Sequence, residues 1–205
     1  MMVLKMRTRI RFVLILLALP LLHGCIAVLA GAVGAGVVHD RRGGDVVVND
    51  RRAQLGITDA INRDKAIVHS NFRVKVVVYN GTVLLCGQVE SAAMKQRAGA
   101  KADEIQGAQR VVNELEVTTG AYGFWRRRED NALSARVKTA LLDITSMSGF
   151  DATRVNVTSA NHVVYLMGIV SHEEGDAAGD IVRNVGGVDR VVKLFDYREP
   201  DSGKG

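Results

Sequence analysis

Trp125-Arg126-Arg127-Arg128 is the stretch of this 205-residue chain whose residue types and spacing suit a chemical task. The task is non-covalent. An indole ring favours the headgroup zone of a bilayer, and clustered arginines attract anionic lipid by about 1 kcal/mol each. Tyr122-Gly123-Phe124 leads into the group, Trp125 is the chain's only tryptophan, and the helix expected next adds Leu133, Arg136 and Lys138. Trp125, Arg126–Arg128, Leu133, Arg136 and Lys138 therefore form a candidate lipid-binding set, and the expected partner is a membrane of anionic phospholipid such as phosphatidylglycerol or cardiolipin. The plainer reading is that Phe124 and Trp125 pack between two modules while the arginines are solvated or paired with acids.

Covalent catalysis lacks a comparable constellation. The sequence has no His-Glu-x-x-His, Gly-x-Ser-x-Gly or Cys-x-x-Cys, and no phosphate-cradling glycine loop. His39, His69, His162 and His172 are scattered among loops and element ends. His172 stands beside Glu173 and Glu174, but a helix N-terminus favours acids there without any metal. No catalytic residue, metal or cofactor is expected, and the chain reads as a non-enzyme. Cys86 lies in the apolar run Val83-Leu84-Leu85-Cys86, which suits a buried thiol better than a reactive one.

The elements that position these residues come in two copies. Val74-Lys75-Val76 and Gly87-Gln88-Val89 recur 81 residues later as Val155-Asn156-Val157 and Gly168-Ile169-Val170. Gly107-Ala108-Gln109-Arg110-Val111-Val112 recurs 80 residues later as Gly187-Val188-Asp189-Arg190-Val191-Val192. Each copy reads helix, strand, strand, helix, strand. Leu133, Val137, Ala140, Leu141 and Ile144 share one helix face at three- and four-residue spacing, and Leu55, Ile57, Ala60 and Ile61 repeat it more weakly. Arg73–Tyr79 and Thr82–Val89 are β-branched runs joined by Asn80-Gly81, which accepts the positive φ angles of a tight hairpin; Asn161-His162 holds the same place in the second copy. Ser171-His172-Glu173-Glu174 is a capping box, opening a helix that buries Ala177, Ala178, Ile181, Val182 and Val185. A strand–helix–strand crossover makes Arg110–Val117 and Arg190–Tyr197 parallel to their neighbours. The fold class is α+β: two modules, each αββαβ, with a mixed three-stranded sheet and both helices on one face.

The first residues carry an address. Lys5, Arg7, Arg9 and Arg11 precede an apolar run over 12–22 that is too short to span a bilayer, the pattern of a secretory signal. The whole chain has 27 Lys and Arg against 22 Asp and Glu, but residues 1–24 hold four of the bases and none of the acids, so the mature chain is close to neutral. The basic balance is thus no argument for nucleic acid. With +3 over residues 51–119 and −4 over 129–205, a basic joint separates a mildly basic half from an acidic one.

Leu22-His23-Gly24-Cys25 resembles the bacterial lipobox. The resemblance implies cleavage before Cys25, with covalent N-acyl and diacylglyceryl groups on that residue as the only non-protein groups. Ile26 then implies sorting to the periplasmic face of the outer membrane. The phrases Thr82–Val89 and His162–Val170, with Gly-x-x-x-Val-Val-Asn at 107–113 and Gly-x-x-x-Val-Val-Lys at 187–193, resemble the BON domain, whose structural glycine matches Gly87 and Gly168. A lipobox before two such modules resembles the dual-BON outer-membrane lipoproteins. The expected organisation is a signal peptide (1–24), lipidated Cys25 and a flexible tether (25–50), module 1 (51–119), the basic-aromatic joint (120–128), module 2 (129–198) and a tail (199–205). The implied function is anionic phospholipid binding in support of envelope integrity. The alternative is a periplasmic scaffold for a protein partner such as outer-membrane assembly machinery. An RNA-binding module of KH type is disfavoured by the secretory signal and the missing Gly-x-x-Gly clamp.

Overall fold

The computed structural model describes residues 41–67, 73–119, 124–142, 144 and 150–198. The signal segment, Cys25, the tether up to residue 40, Tyr122, Gly123, the side chains of Phe124 and Trp125, and the 199–205 tail lie outside the described residues.

Module 1 runs α1 (Gly44–Arg63), β1 (Arg73–Tyr79), β2 (Thr82–Val89), α2 (Ala92–Asp103), β3 (Arg110–Asn113) and β4 (Glu116–Val117). Module 2 runs α3 (Phe124–Leu142), a short 3-10 turn (Ala152–Arg154), β5 (Asn156–Ala160), β6 (Val163–Val170), α4 (His172–Arg183) and β7 (Arg190–Tyr197). In each sheet the central strand pairs antiparallel with the strand before it and parallel with the one after the crossover. The αββαβ reading therefore holds for both copies. In module 1 the last strand is two short pieces, because pairing lapses at Glu114-Leu115 before Glu116 rejoins Gln88. Its counterpart β7 is continuous.

Two helices begin earlier than expected. Residues 44–50 belong to α1, not to a tether, and residues 124–128 are the first turns of α3, not a separate joint. The reason in module 1 is Asp50. Its buried carboxylate accepts from the backbone N–H groups of Asn80 (2.7 Å) and Gly81 (2.9 Å), tying the helix to the hairpin turn. Arg42 pairs with the same carboxylate at 2.7 Å and lies over the Tyr79 ring at 3.8 Å. From Asp50 the buried face runs on through Ala53, Ile57 and Ile61, which leaves Leu55 exposed and off the core.

Each module has its own core between helices and sheet. Ala53, Ile57, Ile61, Val83, Leu85, Ala98 and Leu115 fill the first, and Leu133, Val137, Leu141, Val164, Leu166, Ala178 and Val182 fill the second. The capping box is present: Ser171 Oγ accepts from Glu174 N–H (3.1 Å), and Glu174 accepts from Ser171 N–H (2.7 Å). Of the residues expected inside α4, Ala178 and Val182 are buried, while Ala177, Ile181 and Val185 are half-buried.

A third apolar cluster lies on the opposite faces of the two sheets. Tyr79, Leu84 and Cys86 of module 1 meet Ala160, Tyr165, Met167 and Ile169 of module 2. Both central strands are consequently buried on both faces. Burial pushes the Cys86 thiol up to about 12, and it raises Tyr165 as well, so neither ionises near neutrality.

Gly87 and Gly168 occupy the points of closest strand approach. A Cβ at Gly87 would lie 2.2 Å from the Arg73 carbonyl oxygen at φ +112°, and one at Gly168 would lie 2.5 Å from the Arg154 carbonyl oxygen. Gly87→Ala is expected to cost about 3–5 kcal/mol, combining overpacking with a disfavoured φ, and Gly168→Ala about 1–3 kcal/mol from overpacking alone. Urea unfolding of both variants checks the order.

Candidate functional site

Helix α3 carries the candidate residues, and helix geometry decides what each can reach. Successive residues turn by about 100°, so three consecutive arginines cannot share one face. Arg126 donates to Asn161 Oδ1 at the module 2 hairpin turn (2.5 Å). Arg127 turns toward the start of β1 in module 1. All three are exposed, as are Arg136 and Lys138 further along the helix.

Leu133 does not belong with them. It is 2% exposed and packs in the module 2 core with Val137 and Leu141, so it cannot meet a bilayer. The same three- and four-residue spacing that makes it a core residue excludes it from the outer face. The exposed leucine of this helix is Leu142, 66% accessible. Arg128, Ala135 and Leu142 follow at seven-residue spacing, which puts them along one line of the helix. Over residues 127–138 the exposed side holds four bases (Arg127, Arg128, Arg136 and Lys138) against the single acid Glu129. Leu142 was missed because the apolar pattern of the helix drew attention to its core face.

The contact between the modules is made by the two sheets, and its polar rim is nearly symmetric; Arg126 borders that rim through Asn161. Asn80, in the turn of module 1 at φ 49°, donates to Asp196 on β7 (2.5 Å). Asn161, in the turn of module 2 at φ 50°, donates to Glu116 on β4. Glu116 and Asp196 are themselves 80 residues apart, so each turn grips the matching acid of the other copy. The modules thus meet as the halves of an isologous dimer do. Arg190 adds a bond to Glu114 at 2.9 Å.

A second polar knot fixes where the chain enters. Arg41 grips Glu174 with both nitrogens (2.9 and 3.2 Å) and also donates to the Ile169 carbonyl (3.0 Å), while Arg154 approaches the same carboxylate at 3.4 Å. The start of module 1 is therefore pinned to the end of β6 in module 2, away from the Asn161 turn that Arg126 holds. Burial pushes the Glu174 carboxyl up, but the Ser171 N–H and the two guanidinium groups outweigh it and hold the value below the usual 4.5. On the neighbouring surface His172 stacks on Tyr197 with ring centres 4.1 Å apart. No group of His, Cys, Asp and Glu able to hold a metal occurs among the described residues, and no described helix is long and apolar enough to cross a membrane.

The BON domain family model matches residues 49–119 and 129–199, and the chain belongs to that family. Along its length it is 35% identical over 178 residues to the outer membrane lipoprotein DolP of Haemophilus influenzae, covering 86% of this chain and 90% of that protein. It is 31% identical over 158 residues to the 21 kDa hemolysin of Actinobacillus pleuropneumoniae, with 77% and 79% covered. Among solved structures, the C-terminal domain of CdsD, a type III secretion structural protein of Chlamydia trachomatis, aligns over 71% of this chain and 96% of that one. Its TM-score is 0.27 at 14% identity, too slight a likeness to argue from.

Because the Glu174 value is depressed, its contribution to stability is present above the ordinary carboxylate value and is lost as pH falls through the folded one. Glu174→Gln is expected to lose about 1–3 kcal/mol at pH 7, since Arg41 and Arg154 lose a charged partner. The gap from the parent chain should narrow as pH drops from 5 toward 3. Chemical denaturation of both forms across that range checks it.

Proposed function

We propose that this chain is a lipid-anchored, non-catalytic protein at the periplasmic face of the outer membrane, where α3 binds anionic phospholipid and the protein helps to maintain the envelope. The observation that carries the reading is the exposed side of α3. Four bases and one acid, with Leu142 on the same side, remain open to solvent after the sheets have joined the modules. A basic helix face with an exposed apolar residue suits an anionic lipid surface. The Haemophilus relative is an outer membrane lipoprotein, which supports the location, and the resemblance of Leu22–Cys25 to a lipobox supports the anchor.

Chain length is compatible with both attachments. Sixteen steps from Cys25 to Arg41 reach at most about 55 Å. The eight residues of β6, whose ends lie near the Arg41 and Arg126 contacts, span only about 26 Å. An acylated Cys25 makes the first attachment lasting, so the α3 contact needs only modest affinity.

Flotation with vesicles tests the surface. The chain from residue 25 onward, kept soluble by Cys25→Ser, is expected to float with phosphatidylglycerol or cardiolipin vesicles and not with phosphatidylcholine, and to be released as salt rises. Replacing Trp125 and Arg126–Arg128 together by Ala should abolish flotation; undiminished binding would remove the proposed surface. In cells, Cys25→Ala should release the protein from the outer-membrane fraction, and recovery of the unmodified chain with the inner membrane would contradict the assigned location.

A further inference from the structure

Beside Arg127 the two modules leave a cleft. Its walls are Arg73 and Lys75 on β1, Arg127, Asp130 and Asn131 on the first turns of α3, and Ser159 on β5. Its volume is about 80 Å³. That is room for a few waters or one small ion, well below the roughly 300–1,000 Å³ of a site for a whole organic ligand.

Its charge is unbalanced. Arg73, Lys75 and Arg127 converge from two modules, and among the described residues none of them has an ion-pair partner. The single acid, Asp130, is 6% exposed and is engaged in contacts of its own. Cations gathered in a concave site repel one another and focus a positive potential into it, even with Arg73 and Arg127 exposed and Lys75 half-buried. Neutral donors are also present. Ser159 is 1% exposed, and its hydroxyl, which can donate as well as accept, lies 2.9 Å from that of Ser134. The Asn131 amide supplies two more N–H groups. A planar carboxylate is satisfied by one guanidinium fork, whereas donors arriving from three elements suit a tetrahedral anion with oxygens on every side.

We propose that this inter-module cleft is a phosphate site, in which Arg73 and Lys75 of module 1 and Arg127 of module 2 hold one phosphate group, with Asn131 and Ser159 as neutral donors. The cavity admits the phosphate and not the rest of the molecule that bears it. The group is either the headgroup phosphate of an anionic phospholipid or a free phosphate; only the first source rests on the membrane reading above. Because both modules supply the walls, the bound anion also bridges them.

The test follows the backbone amide signals of Gly87, Asn131 and Ser159 by NMR in the Cys25→Ser chain. Inorganic phosphate and glycerophosphoglycerol, a lipid headgroup without acyl chains, are titrated separately. At least one is expected to shift these amides saturably. Arg73→Gln with Lys75→Gln, and separately Arg127→Gln, should each weaken that binding about tenfold or more while the rest of the spectrum stays folded. Tighter binding of glycerophosphoglycerol, displaced by phosphatidylglycerol vesicles, assigns the lipid source; tighter binding of phosphate assigns the free ion. No saturable shift with either probe, or shifts that the variants leave unchanged, overturns the site. Vesicle flotation separates the two readings. If flotation survives while the cleft is silent, the phosphate site fails and the membrane reading stands; if flotation fails while phosphate still binds, the reverse holds.

Discussion

Two apolar sheet faces that cannot be left in water govern the rest of this molecule. A sheet with both helices on one side still exposes its other side, and here that side carries Tyr79, Leu84 and Cys86 in one module and Tyr165, Met167 and Ile169 in the other. Burying a large apolar side chain contributes about 1.5–3 kcal/mol. Exposed polar contacts at the rim, such as Arg190 with Glu114, contribute about 0–1 kcal/mol each. The apolar term therefore drives the association, and the turn asparagines set its register. Cys86 is free and buried, so among the described residues no disulfide braces the modules, and this contact adds a third apolar cluster to the core that each module already has.

That arrangement determines what remains available for function. Helix α3 keeps Arg128, Arg136 and Lys138 exposed and turns Arg127 toward the neighbouring module. The Arg41–Glu174 contact fixes the other end, holding the start of the first module against the second. Both modules thus belong to one compact unit and are not two beads on a string.

Much of the fold was legible in the sequence for simple reasons. The 80- and 81-residue repeat exposed the duplication, Asn80-Gly81 and Asn161-His162 marked the hairpins, and Ser171 with Glu174 marked a helix start. The start of α1 was not legible, because Gly43, Gly44 and three valines look like linker, and the tie that holds this part of the helix, from Asp50 to the hairpin turn, is distant in sequence. The contact between modules left a signal that went unused. Val83-Leu84-Leu85-Cys86 and Val163-Val164-Tyr165-Leu166-Met167 are continuous apolar runs without alternation, as in strands buried on both faces. For the site, the basic residues were visible but their directions were not. Reading 120–128 as a joint separate from the following helix let three arginines act together, whereas a helix spreads them, and Leu133 was placed on the lipid side although its spacing belonged to the core.

The most direct test is the set of NMR contacts across the modules. Nuclear Overhauser effects should connect side-chain protons of Tyr79, Leu84 and Cys86 with those of Tyr165, Met167 and Ile169. Their absence in a chain whose two individual cores are intact would contradict the sheet-to-sheet contact, and with it the placement of Arg127 and the cleft.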